Sequence, residues 1–281
     1  MKKLLFDSLQ KLDFIIWGIT LAFFIISALV MKGDVNESFI GASGIIVLMF
    51  FVGFSIELIL SALKNVKGVG KITGFITNGP EALVLIVGLI TGNILFAAST
   101  PLGSNVMNPI LFLTALMITG YLVKLKTFNY KAFFLSGFVI TAIFAVLFFK
   151  IPENYYIYWV FIAFLISIYL FTKKFPNKES VIEEPDELVN KIYLPLGIVI
   201  LLISGYFLDP VVNFTAEASM APKGLIGFLV LSILTSWPEF KSVLALLKRK
   251  MTLDAFINIL VSNITNLWLA IIGIIIWLYI K

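Results

Sequence analysis

Thr77-Asn-Gly-Pro80-Glu81 followed by Ser104-Asn105-Val-Met-Asn108, and Thr235-Ser-Trp-Pro238-Glu239 followed by Ser262-Asn263-Ile-Thr-Asn266, are two copies of one polar signature. Ser104 follows Glu81 by 23 residues, and Ser262 follows Glu239 by 23. Each copy lies in apolar sequence long enough to cross a bilayer, where a carboxylate is costly and marks a functional position. One carboxylate on each of two like segments suggests a pair that holds a cation.

The composition around the signatures is that of a membrane protein. Of 281 residues, 60% are hydrophobic and 13% charged, and the mean hydropathy is +1.05, well outside the range of soluble domains. The apolar run from Leu12 to Met31 is too long for the core of a signal peptide and lacks a small-residue cleavage site after it, so it reads as the first spanning helix. Cysteine and histidine are both absent. Disulfides, thiolate metal sites and the usual neutral-pH proton carrier are thereby excluded, and ion chemistry falls to oxygen ligands. No phosphate loop, nucleophile constellation or nucleic-acid motif is present. Neither an enzyme, nor a bound cofactor, nor a nucleic-acid partner is expected; the partners are the lipid bilayer and inorganic cations.

Apolar runs of about 20 residues predict an all-α, polytopic transmembrane helical bundle of about nine helices, at 12–31, 39–62, 72–92, 97–123, 131–149, 155–172, 192–208, 224–247 and 254–280. The chain then divides into N-terminal helices (1–71), a first repeat (72–123), helices with an acidic linker (124–191), and a second half (192–281) whose repeat spans 224–270. Basic residues cluster in alternate connections: Lys2, Lys3 and Lys11; Lys64, Lys67 and Lys71; Lys124, Lys126 and Lys131; Lys173, Lys174 and Lys178; Lys248, Arg249 and Lys250. The positive-inside rule makes these cytoplasmic, with the N-terminus inside and the cell membrane as the expected location. The helix of Glu81 then runs outward and that of Glu239 inward. The two repeats are expected to be inverted, an arrangement that sets a binding site at the midplane and opens it to either side.

The residue types in the signature suit cation binding. Proline has no backbone N–H, so Pro80 leaves the carbonyl of Ile76 without its helical partner and Pro238 does the same for Leu234. A carbonyl freed in this way is tolerated in a membrane only where it faces a cavity or protein. Thr77 and Glu81 share a helix face, as do Thr235 and Glu239, while Ser104 with Asn108 and Ser262 with Asn266 add neutral oxygens at the same spacing. Gly74, Gly79 and Gly103 permit close approach or a break in the first copy. Two carboxylates balance one divalent ion, and Ca²⁺ takes roughly six to eight oxygens. Monovalent ions balancing the same charge would compete with it.

These residues resemble the α-repeats of the cation/Ca²⁺ exchanger superfamily, which includes the sodium/calcium exchangers. The run Gly224 to Glu239 and then Ser262-Asn-Ile-Thr-Asn266 is similar to that family's G-T-S-x-P-E and G-S-N-x-x-N/D patterns, with Val261 where glycine is usual and Asn78 replacing a serine in the first copy. The resemblance implies a secondary antiporter exchanging Ca²⁺, or a related divalent cation, for Na⁺ or H⁺ by alternating access. It implies that Glu81, Glu239, Thr77 and Thr235 line a central Ca²⁺ site. It also implies that Gly74, Asn78, Ser104, Asn108, Ser232, Ser236, Ser262 and Asn266 form flanking monovalent-ion or proton sites, Gly74 and Ser232 through their carbonyls. Members usually have ten or eleven helices, so the predicted count departs from the family and leaves a homo-oligomer as one way to complete the scaffold. The alternatives are a Na⁺/H⁺ exchanger on the same scaffold and a non-transporting sensor or partner subunit.

Other polar positions have simpler readings. Glu57 is either a third ligand or a group near the cytoplasmic interface. Lys241 is turned about 200° from Glu239 and is expected to reach toward the cytoplasmic side rather than enter the site. The cluster Glu179, Glu183, Glu184, Asp186 and Glu187 reads as a solvated linker. Tyr155, Tyr156 and Tyr158 read as interfacial anchors.

Overall fold

The computed structural model describes residues 2–64, 66–92, 94–174, 192–221 and 232–281. Among the described residues every regular element is helical. Eight helical spans are long and apolar enough to cross a membrane, which makes this an integral, multi-pass chain. The span predicted at 224–247 falls partly outside the described residues, and the acidic linker at 179–187 falls wholly outside them.

Two compact units emerge, each assembled from segments distant in sequence: residues 1–62 with 190–238, and residues 63–189 with 239–281. The first contains α1 (Lys2–Ser8), α2 (Lys11–Met31), α3 (Val35–Ala62), α9 (Tyr193–Ala218) and α10 (Ser232–Thr235). Its centre is the α3–α9 pair, brought close by small residues. A Cβ on Gly197 would lie 2.9 Å from the Ser55 carbonyl, and one on Gly41 2.2 Å from the Thr215 hydroxyl. Between helices in lipid such close packing replaces the hydrophobic drive available in water. Glu57 is buried in this unit on α3.

The second unit contains α4 (Val69–Ile76), α5 (Gly79–Thr91), α6 (Ile94–Ile118), α7 (Lys131–Phe148), α8 (Tyr156–Thr172), α12 (Thr252–Ile280) and, from Glu239 onward, α11 (Trp237–Lys248). Gly92, with φ +78°, makes the turn from α5 toward α6. Helix α12 is the core element: 15 of its 29 residues are buried, against three of 21 in α2 of the other unit. Neighbours reach it through glycines, Gly70 and Gly74 from α4 and Gly137 from α7. Near the start of α12, Phe256 packs against Phe112, Phe128, Phe134 and Phe138 at centroid distances of 4.5, 4.6, 5.1 and 6.3 Å. Toward its end the Trp268 indole donates to the Ser167 hydroxyl at 2.8 Å, and Lys281 pairs with Glu153.

Two side-chain expectations change. Tyr155 and Tyr158 are exposed as anchors would be, but Tyr156 is buried, stacked on Phe148 at 4.8 Å. Lys241 is 3% exposed, so its ammonium does not run out to a surface.

The glycine packing around α12 predicts a contrast between two substitutions. A Cβ on Gly273 would meet the Ala98 Cβ at 2.5 Å and a Leu85 methyl at 2.8 Å, whereas one on Gly18 meets nothing within 4 Å. Gly273→Ala is expected to lower stability by about 1–3 kcal/mol, and Gly18→Ala to leave it unchanged or raise it, measured by thermal unfolding of the purified protein in detergent.

Candidate functional site

The site is built around two helix breaks. Helix α4 ends at Ile76, Thr77 and Asn78 leave it, and α5 begins at Gly79 with proline in its first turn. The Asn78 N–H donates to the Phe75 carbonyl at 3.3 Å, a tightened last turn, and Ala82 restarts the regular ladder by donating to the Asn78 carbonyl at 3.1 Å. The second copy repeats this. Helix α10 ends at Thr235, Ser236 forms the turn, and α11 begins at Trp237. Gly79 and Trp237 are equivalent positions in the signature, so the two helices start at the same point in each copy. Proline fits the first turn, where its missing N–H breaks no bond. Glu81 and Glu239 both lie in that first turn, at the positive end of the helix dipole, which favours negative charge.

Within the second unit these pieces meet α6 and α12. Asn105 and Asn263 are equivalent signature residues 158 positions apart, and the Asn105 amide donates to the Asn263 carbonyl at 3.1 Å. The Asn108 amide donates to the Asn263 side-chain oxygen at 2.9 Å and to the Ser262 hydroxyl at 3.2 Å. Asn263 in turn donates to the Thr141 hydroxyl on α7 at 2.9 Å. The Ser262 hydroxyl has two acceptors in reach, Glu239 Oε1 at 3.2 Å and Asn78 Oδ1 at 3.4 Å. The Asn78 amide donates to the Gly74 carbonyl at 2.6 Å. Gly74, Asn78, Asn108, Glu239 and Ser262 are therefore connected by hydrogen bonds.

Much of the oxygen here is buried without a protein partner. Both carboxylate oxygens of Glu81, Oε2 of Glu239, the side-chain oxygens of Asn105 and Asn108, and the whole amide of Asn266 make no hydrogen bond. Glu81 is 3% exposed and Glu239 0%. An ionised carboxylate away from water costs several kcal/mol unless something compensates it. Two ionised together would repel one another, and a cation is one group able to compensate both. Among the described residues no group of three or more histidine, cysteine, aspartate or glutamate side chains is gathered.

Of the remaining expected residues, Thr77 is fully buried at the first break and Ser104 is buried on α6. Ser232 and Thr235 bound α10, and Ser236 is buried with its hydroxyl unpartnered; all three belong to the other compact unit. Sequence reasoning assigned no role to Asn105 and Asn263, although both stand inside the quoted signature. It also missed Thr73, Ser242 and Asn258, where the Asn258 amide donates to Thr73 at 2.8 Å and to Ser242 at 3.2 Å. Their signal was helical spacing, since each lies three or four residues from a signature member. Thr141 had no such signal.

No protein-family model, characterised protein or solved structure matches this chain.

The network separates residues that hold the fold from residues that wait for a ligand. Asn263→Leu removes an acceptor from Asn108 and a donor from Thr141 and is expected to cost about 1–3 kcal/mol. Asn266→Leu removes an amide with no protein partner and is expected to leave the unfolding midpoint unchanged or higher. Denaturation curves of the two variants check the contrast.

Proposed function

We propose that this protein is a secondary antiporter of the cation/Ca²⁺ exchanger type, carrying Ca²⁺ or a related divalent cation in exchange for Na⁺ or H⁺ across the cell membrane. The observation that carries the reading is the pair of buried carboxylates, Glu81 and Glu239, each in the first turn of a helix that has proline in that turn. In this reading the signatures form inverted repeats, with the N-terminus and the lysine-rich connections cytoplasmic. The matched helix starts and the contact between equivalent asparagines support that symmetry.

The chemistry follows from charge. An empty site holds two carboxylates that oppose burial, so it is stable only when it is open to water or occupied. A divalent ion, or monovalent ions or protons in its place, cancels the charge and lets the loaded site change sides. Because either load balances the same two groups, one must leave before the other binds, and that competition couples their fluxes. Asn78, Asn108, Asn266, Ser104 and Ser262 supply neutral oxygens that replace lost hydration without adding charge. Thr77 does so at the first break, and the Gly74 carbonyl one turn before it. Asn78 already occupies part of the Gly74 carbonyl's accepting capacity.

Reconstituted vesicles test the reading. An imposed Na⁺ gradient is expected to drive uptake of labelled Ca²⁺, and Glu81→Gln or Glu239→Gln to abolish it. Uptake surviving both substitutions would sink the proposed site, and uptake driven only by a pH gradient would make the proton the counter-ion. Independently of transport, Ca²⁺ at about 100 times its dissociation constant is expected to stabilise the purified protein by about 2.7 kcal/mol, and Glu81→Gln to lose that gain.

A further inference from the structure

One helical turn from the carboxylate site lies a second polar layer in the same compact unit. Thr73 precedes Thr77 by four residues on α4, Asn258 precedes Ser262 by four on α12, and Ser242 follows Glu239 by three on α11. All three are fully buried. The Asn258 amide spans the layer, donating to the Thr73 hydroxyl at 2.8 Å and to the Ser242 hydroxyl at 3.2 Å, while its own oxygen has no partner. One side chain thus ties α12 to both α4 and α11. A further turn along, the Asp254 carboxylate accepts from the Gly70 N–H at 2.9 Å.

The layer has a definite position along the chain. From Thr73 the chain runs back to Lys64 and Lys67, from Asn258 back to Lys248, Arg249 and Lys250, and from Ser242 forward to the same basic turn. All three residues therefore stand between the carboxylates and the lysine-flanked ends of their helices. In the other copy of the signature, 158 residues away from Asn258, Ser242 and Thr73, the sequence has Thr100, Val84 and Leu231.

We propose that the Asn258–Thr73–Ser242 layer is the barrier on the lysine-rich side of the ion path, and that access from that side opens when Asn258 releases its two hydroxyl partners. The proposal rests on the reading of Glu81 and Glu239 as an ion site. Its chemistry suits a gate: the bonds are between neutral groups, weak enough to break and re-form, and the freed oxygens line the opened path for a cation losing water. Apolar side chains would seal the same place but offer a cation nothing in passage. Asn258 is a positioning residue in this scheme, holding three helices together rather than binding the transported ion at rest.

The absence of cysteine makes the test clean, because an introduced thiol is the only one in the chain. Thr77→Cys is placed in the full-length protein in sealed vesicles, and a membrane-impermeant, positively charged methanethiosulfonate is added to the lysine-rich face. Slow modification is expected with Asn258 intact, and about tenfold faster modification with Asn258→Ala, the effect of losing two neutral hydrogen bonds. Thr73→Val keeps the side-chain volume and removes one acceptor, so it should accelerate labelling in the same direction. If Asn258→Ala alone is fast, the leak is a cavity and the gate is wrong; equal rates in all three proteins overturn it as well. Labelling does not depend on ion transport. Loss of Ca²⁺ uptake in the glutamate variants and opening of this layer therefore succeed or fail separately.

Discussion

Two carboxylates that repel one another in a medium of low dielectric are the constraint around which the second compact unit is arranged. Coulomb energy between unit charges grows as the surroundings become less polar, so Glu81 and Glu239 can share a buried region only with compensation close at hand. Part of it is structural. Each carboxylate sits at a helix start, where unpaired N–H groups and the dipole oppose its charge, and a proline stands in the first turn of each. The side-chain oxygens of Asn105, Asn108 and Asn266 in the same unit are buried without a hydrogen-bond partner.

The glycines serve the same constraint at a distance. A helix break exposes backbone that lipid cannot satisfy, so the broken α4–α5 span must be enclosed by protein. Gly70 and Gly74 bring α4 so near α12 that added Cβ atoms would lie 2.2 Å from the Asp254 carbonyl oxygen and 2.6 Å from that of Asn258. Close packing of this kind fixes the register of α4 on α12. The register in turn aligns successive polar layers, Gly70 with Asp254, Thr73 with Asn258, and Asn78 with Ser262.

Much of this was legible in the sequence. Helical spans follow from apolar length, and the breaks follow from Pro80 and Pro238, whose chemistry is local. Burial of the glutamates was readable because each stands in an apolar run. Layers made by side chains from three helices were harder to see: Thr73, Ser242 and Asn258 are ordinary polar residues until packing brings them together. Tyr156 and Lys241 were misjudged for a related reason. An amphipathic side chain near a helix end can turn outward or inward, and neighbours such as Phe148 decide which. The grouping of residues 63–189 with 239–281 is likewise a tertiary fact, because covalent order gives no hint that α12 belongs with α4.

The Ser262 hydroxyl carries a single proton and faces two acceptors, Glu239 and Asn78. It can satisfy only one at a time, so the two are joined as alternatives. Whatever relieves Glu239 of its need for a donor releases that proton to Asn78, and whatever engages the Asn78 oxygen returns it to Glu239. A hydrogen bond to a charged group is worth about 1.5–3 kcal/mol, and by thermodynamic reciprocity each acceptor senses the state of the other to a like degree. A single serine thus acts as an exclusive-or element, by which the state of Glu239 is coupled to Asn78 at the α4–α5 break.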